Sequence, residues 1–364
     1  MRLAVPSATP VMRPAVGPWA APRAALCASR LAAACMATFC LAAPALADDA
    51  PAKPKQLVMI SFDGAGSNAL WQRSRDFAKA NHAHFTYFLS CSLVIPHADA
   101  ARYQGPGKKP GRSNIGFAKD VPEAKERLGH IWQAHLEGND ISSHTCGHFD
   151  GKDWTAAEWT QELTSFRDIL TNAWTAIGAG ADEPQGWRDF VAHDIHGFRA
   201  PYFSTSDGMI EAEKKAGFTY DASLVTKGPM MPEHKDGMIR FGLPLIPEGP
   251  QQKQIIAMDY NLYVRHSGAV EKPEQSAQFE ERAYSAFKAA FDRQYDGDRI
   301  PLQIGLHFVE MNSGAYWRAM ERLASDVCNR ADVACVSYSE AIRMLDDHRP
   351  HQGAGSAAPV NSAG

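Results

Sequence analysis

Along most of this chain, short apolar runs of strand length alternate with longer segments of helical period. Segment 56–62 is one such run, apolar but for Gln56 and Ser61, and it ends in Asp63-Gly64-Ala65-Gly66. A run of that length closed by glycine predicts a strand buried on both faces and then a permissive turn. Segments 84–90, 140–143, 196–201, 220–224, 254–259, 301–308 and 332–336 also read as strands. Helices are predicted between them, over 67–80, 121–137, 155–177, 206–216, 274–293, 314–324 and 337–345. Thr155 and Glu158 have the spacing of a capping box, and Gly138 and Gly217 follow their helices as stop signals. This alternation predicts an α/β fold with a parallel sheet, open or closed into a barrel. Segment 95–117 has no period and is rich in Gly, Pro and Lys. Its length marks a functional or mobile loop, with Lys108 and Lys109 as solvated charges.

Six polar residues fall at the carboxyl ends of the predicted strands: Asp63, His144, His148, Arg199, Asp259 and His307. In a barrel, that end carries the active site. His144 and His148 lie four residues apart, and imidazole is a common ligand for zinc and similar divalent ions. Spacing alone leaves two readings open, a ligand pair or two unrelated polar histidines. Trp132, Trp154, Trp159, Trp174 and Trp187 read as packing aromatics, and His193 and His196 as structural residues.

Residues 1–47 carry four arginines and no acidic residue, then an apolar run, then Ala45-Leu46-Ala47. That is the layout of a secretory signal peptide, so a periplasmic or secreted protein with no membrane span after cleavage is expected. The formal charge of −4 becomes −8 once the four arginines leave. Such an acidic chain offers nothing for nucleic acid or an anionic membrane. Residues 48–348 suffice for one large α/β domain, and 349–364 read as a disordered tail. Export permits disulfides. Cys328 and Cys335 are expected to pair, whereas Cys91 and Cys146 are left open between a bond and free thiols.

The strand-end motifs, in this order, resemble the polysaccharide deacetylase family (the NodB-homology domain, carbohydrate esterase family 4), chitin deacetylases among them. The resemblance spans 57–345. Ser61-Phe62-Asp63-Gly64 is similar to the family's Thr-Phe-Asp-Asp-Gly, and His144-Thr-Cys-Gly-His148 to its His-(Ser/Thr)-x-x-His metal motif. Arg199-Ala-Pro201-Tyr202 is similar to its Arg-x-Pro-Tyr groove motif, Asp259 stands where the fourth motif is expected, and Leu306-His307 is similar to the fifth. The resemblance implies a distorted (β/α) barrel that removes acetyl groups from an acetylated polysaccharide or oligosaccharide. It implies a divalent metal, zinc foremost, on His144 and His148. Asp63 would be the base, paired with Arg199. His307 would be the acid, oriented by Asp259. The Tyr202 backbone N–H would meet the oxyanion, with Pro201 in the same groove motif, and Leu306 would face the acetyl methyl.

One position departs from the pattern. The family's second aspartate, a metal ligand, is Gly64 here. Asp63, Asp150 or water are the open choices for a third ligand. The departure also leaves open a catalytically impaired homologue that binds glycans. Chitin oligomers, peptidoglycan, a biofilm glucosamine polymer and acetylated xylan all stay open as substrates. A solute-binding protein, also exported and α/β, would need neither the histidine pair nor the Leu-His strand end.

Overall fold

The computed structural model describes residues 53–347. The signal peptide and the tail expected from the sequence lie outside the described residues. Among the described residues there are ten strands: β1 (Gln56–Gly64), β2 (Thr86–Leu89), β3 (Asp140–Ser143), β4 (Gly197–Phe198), β5 (Tyr220–Thr226), β6 (Glu233–Lys235), β7 (Met238–Glu248), β8 (Lys253–Ile256), β9 (Leu302–His307) and β10 (Val333–Cys335). The helices between them are α1 (Asn68–Ala80), α2 (Val121–Leu136), α3 (Ala156–Thr171), α4 (Ala173–Ala176), α5 (Trp187–His193), α6 (Met209–Lys215), α7 (Asp259–Ser267), α8 (Ser276–Asp296), α9 (Met311–Val327) and α10 (Tyr338–Asp347).

The strands from β1 through β5 pair in parallel, as do β1 with β9 and β10, and β5 with β7. Beyond β8, Met258 bridges in parallel to Gly305 of β9, and Gly305 N–H donates to the Ala257 carbonyl. The sheet thereby curls into a distorted (β/α) barrel. All nine residues of β1 are buried, as a strand covered on both faces requires. Under its carboxyl end, Phe62, Trp71, Tyr87, Phe308 and Trp317 pack with ring centres 4.3–5.8 Å apart. Such aromatic pairs add about 0.5–1.5 kcal/mol each beyond area burial, so the floor beneath Asp63 is stiff.

Helix starts follow their caps. Ser67 accepts from Leu70 N–H, Asp120 from Glu123 N–H, and Thr155 and Glu158 form the reciprocal box. Three readings of the sequence need correction. The sheet is not wholly parallel, because β6 and β8 each pair antiparallel to β7. The longest strand, β7, is missing from the reading because Pro244 and Pro247 lack the N–H a ladder needs and break its pattern. The helix expected over 155–177 is interrupted at Asn172.

Two disulfides are present among the described residues, Cys328–Cys335 with Cα atoms 5.4 Å apart and Cys91–Cys146 at 4.3 Å. The second settles the question the sequence left open: the strand-end loops after β2 and β3 are covalently joined.

Candidate active site

β1 and β9 lie side by side in a register that sets Asp63 directly opposite His307. Parallel pairing thus delivers a carboxylate and an imidazole to the same end of the sheet. Each has its own partner of opposite charge.

Asp63 is buried, and Arg199, fully buried just past β4, donates from Nη1 to Asp63 Oδ1 at 2.7 Å. The guanidinium also donates to Ser61 Oγ (2.9 Å), Tyr338 Oη (2.9 Å) and the Ala222 carbonyl (3.2 Å). Its Cζ lies 4.0 Å from the Phe88 ring centre. A buried cation fixed by that many acceptors acts as a rigid counter-charge. Burial pushes the Asp63 carboxyl up, but Arg199, His144 and His307 together hold it below the usual carboxylate range.

His307 has the complementary environment. Its Nδ1 lies 2.7 Å from Asp259 Oδ1, and its backbone N–H donates to Asp259 Oδ2 at 2.7 Å. Burial pushes the imidazole down, and Asp259 outweighs it, so His307 keeps its proton above the ordinary histidine range. Asp259 does not end a strand, contrary to the sequence reading. The chain leaves β8 early, and Asp259 is the first residue of α7, where the helix dipole favours a carboxylate.

His144 is 2 % exposed. With Nδ1–H donating to the Arg199 carbonyl at 2.8 Å, the lone pair of Nε2 faces Asp63 Oδ2, 4.0 Å away. Burial pushes this imidazole down to about 3 and also lowers His148, so both rings are neutral at pH 7. The His148 ring stands 4.9 Å from that of His144 and 4.8 Å from that of Tyr202.

The turn carrying the histidines holds two non-glycine residues in the left-handed region, Thr145 (φ 62°) and His148 (φ 54°). Conformations like these cost about 1–3 kcal/mol each and persist where the surroundings impose them. Glu162, fully buried on α3, accepts from Cys146 N–H (2.8 Å), Gly147 N–H (3.1 Å) and Tyr103 Oη–H (2.8 Å). Cys91 fastens the same turn through its bond to Cys146. The reading of the sequence passed over Glu162. Its signal was a lone acid on the apolar stripe Trp159, Leu163, Phe166.

Asp63, Gly64, Ile115, His148, Tyr202 and His307 line one open cleft of about 560 Å³. Tyr202, 57 % exposed, stands at its rim in a left-handed conformation after buried Pro201. Leu306 is different. As the strand neighbour of His307 it points the other way, into the core, and it does not line the cleft.

The residues present do not fit the three-ligand metal site that the resemblance implies. Among the described residues no group of three His, Cys, Asp or Glu side chains is placed to hold an ion. Gly64 has φ +88°, and a Cβ there would meet Ile115 Cδ1 at 2.8 Å. Ile115, which the sequence reading did not single out, thus fills the space beside Gly64. Asp63 Oδ1 is engaged by Arg199. Asp150 is no substitute, since it is exposed, accepts from Lys152 N–H and lines a neighbouring cavity.

No protein-family model matches the chain, and no curated protein matches it. Solved structures do. A protein from Mycobacterium smegmatis described as a polysaccharide deacetylase superposes with a TM-score of 0.50 and 15 % identity, over 82 % of this chain and 95 % of that one. The fold is that of the polysaccharide deacetylases. At lower similarity, the Xyl-CE4 domain of a multidomain xylanase from the hindgut metagenome of Trinervitermes trinervoides superposes with a TM-score of 0.43 and 13 % identity, over 80 % of this chain and 92 % of that one. A family 4 pseudoenzyme from Bacillus anthracis, BA3943, superposes with a TM-score of 0.41 and 10 % identity over 79 % of this chain and 65 % of that one.

Proposed function

We propose that this chain is an exported hydrolase that removes acetyl groups, from nitrogen or oxygen, on an acetylated polysaccharide. The observation that carries the reading is the pair of opposed dyads, Asp63 with Arg199 and His307 with Asp259, delivered in register to one cleft. Asp63 is held as a carboxylate and takes a proton from water as the water oxygen attacks the acetyl carbonyl carbon. The Tyr202 backbone N–H at the rim is the candidate donor to the oxyanion. His307 is held protonated and gives its proton to the departing sugar nitrogen or oxygen, so acetate and the deacetylated sugar leave. Arg199 keeps Asp63 ionised until it takes that proton, and Asp259 stabilises the charged form of His307.

A second reading is a catalytically impaired homologue that binds glycans, and it is favoured by Gly64 and the Ile115 side chain beside it. Acetate release from chitin oligomers, peptidoglycan, a biofilm glucosamine polymer and acetylated xylan separates the two. Release by the wild type, lost by at least about a hundredfold in Asp63→Asn, supports the hydrolase, since a general base contributes about 10²–10⁴-fold. Glycan binding with no release on any substrate supports the impaired homologue.

A further inference from the structure

Next to the catalytic cleft lies a second cavity, of about 810 Å³, and the two share Asn114 and Phe117 in their walls. The two cavities therefore adjoin along these residues. The second cavity is lined by His97, Lys108, Lys109 and Arg112, with Asp150 as its one acid. The Asp150 carboxylate accepts from Lys152 N–H and forms no ion pair with these cations, so its single negative charge leaves the lining net positive. Among the described residues Lys108, Lys109 and Arg112 have no carboxylate partner. This concentration of positive charge sits on a chain whose formal charge is −4.

The cationic wall is also built. Lys108 Nζ stands 5.1 Å from the centre of the Phe149 ring. Gly111 N–H donates to the Tyr103 carbonyl at 2.9 Å, and Asn114 N–H donates to the Gly147 carbonyl at 2.8 Å. Ser113 Oγ accepts from the N–H groups of both Ile115 and Gly116 at 3.1 Å. The loop backbone is thereby pinned to the turn that carries the catalytic-site histidines, which sets where its charged side chains leave the chain. Unpaired cations along a concave wall concentrate anions, and a guanidinium with flanking ammoniums suits a carboxylate.

We propose that this second cavity is a subsite for a carboxylated sugar adjoining the acetylated one, which makes the substrate an acidic acetylated polysaccharide. The inference rests on the polysaccharide reading above and deepens it. The carboxylate has two chemical sources, a uronic acid in the sugar backbone or a lactyl ether on an acetylated amino sugar.

The test is calorimetric titration of the full chain with three oligosaccharides of equal length. They are a neutral chitin oligomer, a hyaluronan oligomer alternating N-acetylglucosamine with glucuronate, and an oligomer containing N-acetylmuramic acid. At least one acidic probe should bind about tenfold more tightly than the neutral one at low salt, the scale of a few partly exposed ion pairs. The preferred probe identifies the source. The preference should collapse at 0.5 M salt and in the triple variant Lys108→Gln/Lys109→Gln/Arg112→Gln, with neutral binding unchanged. These positions are exposed, so an unchanged melting temperature confirms that the variant is folded. Equal binding of neutral and acidic probes overturns this inference and leaves the hydrolase reading standing. Binding of none of the three overturns this inference too, and the hydrolase reading is then decided by the acetate-release panel above. A preference that survives in the triple variant overturns the assignment to this cavity.

Discussion

Replacing Gly64 should destabilise the protein, and the structure sets the size of the effect. Its φ of +88° lies where L-residues are strained, at about 1–2 kcal/mol. A new Cβ would also stand 2.8 Å from Ile115 Cδ1. That atom is the end of a flexible side chain, so it can yield at the cost of an off-rotamer shift, roughly 0.5–1.5 kcal/mol. Gly64→Ala should therefore lose about 2–3 kcal/mol in urea unfolding at neutral pH with an unchanged m-value. Gly64→Asp should lose at least as much, because its carboxylate would adjoin that of Asp63. Ile115→Ala in the same chain should return only the steric share, since the backbone strain remains. Zinc titration of the same proteins tests the consequence for metal binding. Gly64→Asp/Ile115→Ala, with room for a carboxylate beside His144 and His148, should bind more tightly than wild type, and Ile115→Ala alone should not. If Gly64→Ala is as stable as wild type to within about 0.5 kcal/mol, neither the backbone conformation nor Ile115 constrains this position, and the reasoning fails.

Two further outcomes follow from the dyads. Arg199→Met leaves Asp63 buried without its counter-ion and should cost about 3–5 kcal/mol at neutral pH, measured by denaturation. Asp63 has a folded value below its unfolded one, so its contribution is present above the unfolded value and is lost as pH falls through the folded one. The gap between variant and wild type should accordingly shrink in acid, and a gap that does not change with pH contradicts the assignment. Asp259→Asn removes the charge that raises His307, so the imidazole should lose its proton at lower pH. NMR titration of the His307 ring reads this directly, and the alkaline limb of any acetate-release profile should move the same way. An unmoved ring titration would show that Asp259 does not set it.

The order of strands and helices and the polar residue after each strand were legible in the sequence, because backbone periodicity and turn chemistry are local. A glycine after an apolar run announces a strand end wherever the run is packed, and the Thr155 and Glu158 spacing announces a helix start. That suffices to put Asp63, His144, His148, Arg199 and His307 at one end of a barrel. Tertiary structure decided what lies between neighbours distant in the chain. β7, with its two prolines, exists because β5, β6 and β8 give it partners, and no local preference could announce that. Asp259 reaches His307 from the start of a helix instead of a strand end. Leu306 carries the motif's residue but faces the core, because adjacent strand residues point to opposite sides of the sheet. Whether Gly64 leaves a vacancy or a filled place depends on Ile115, fifty-one positions away in a loop without period. The charges of that loop become a cavity wall only because hydrogen bonds to Tyr103 and Gly147 fold it against the histidine turn. Sequence spacing names the groups that carry the chemistry, and packing between remote segments decides which of them meet.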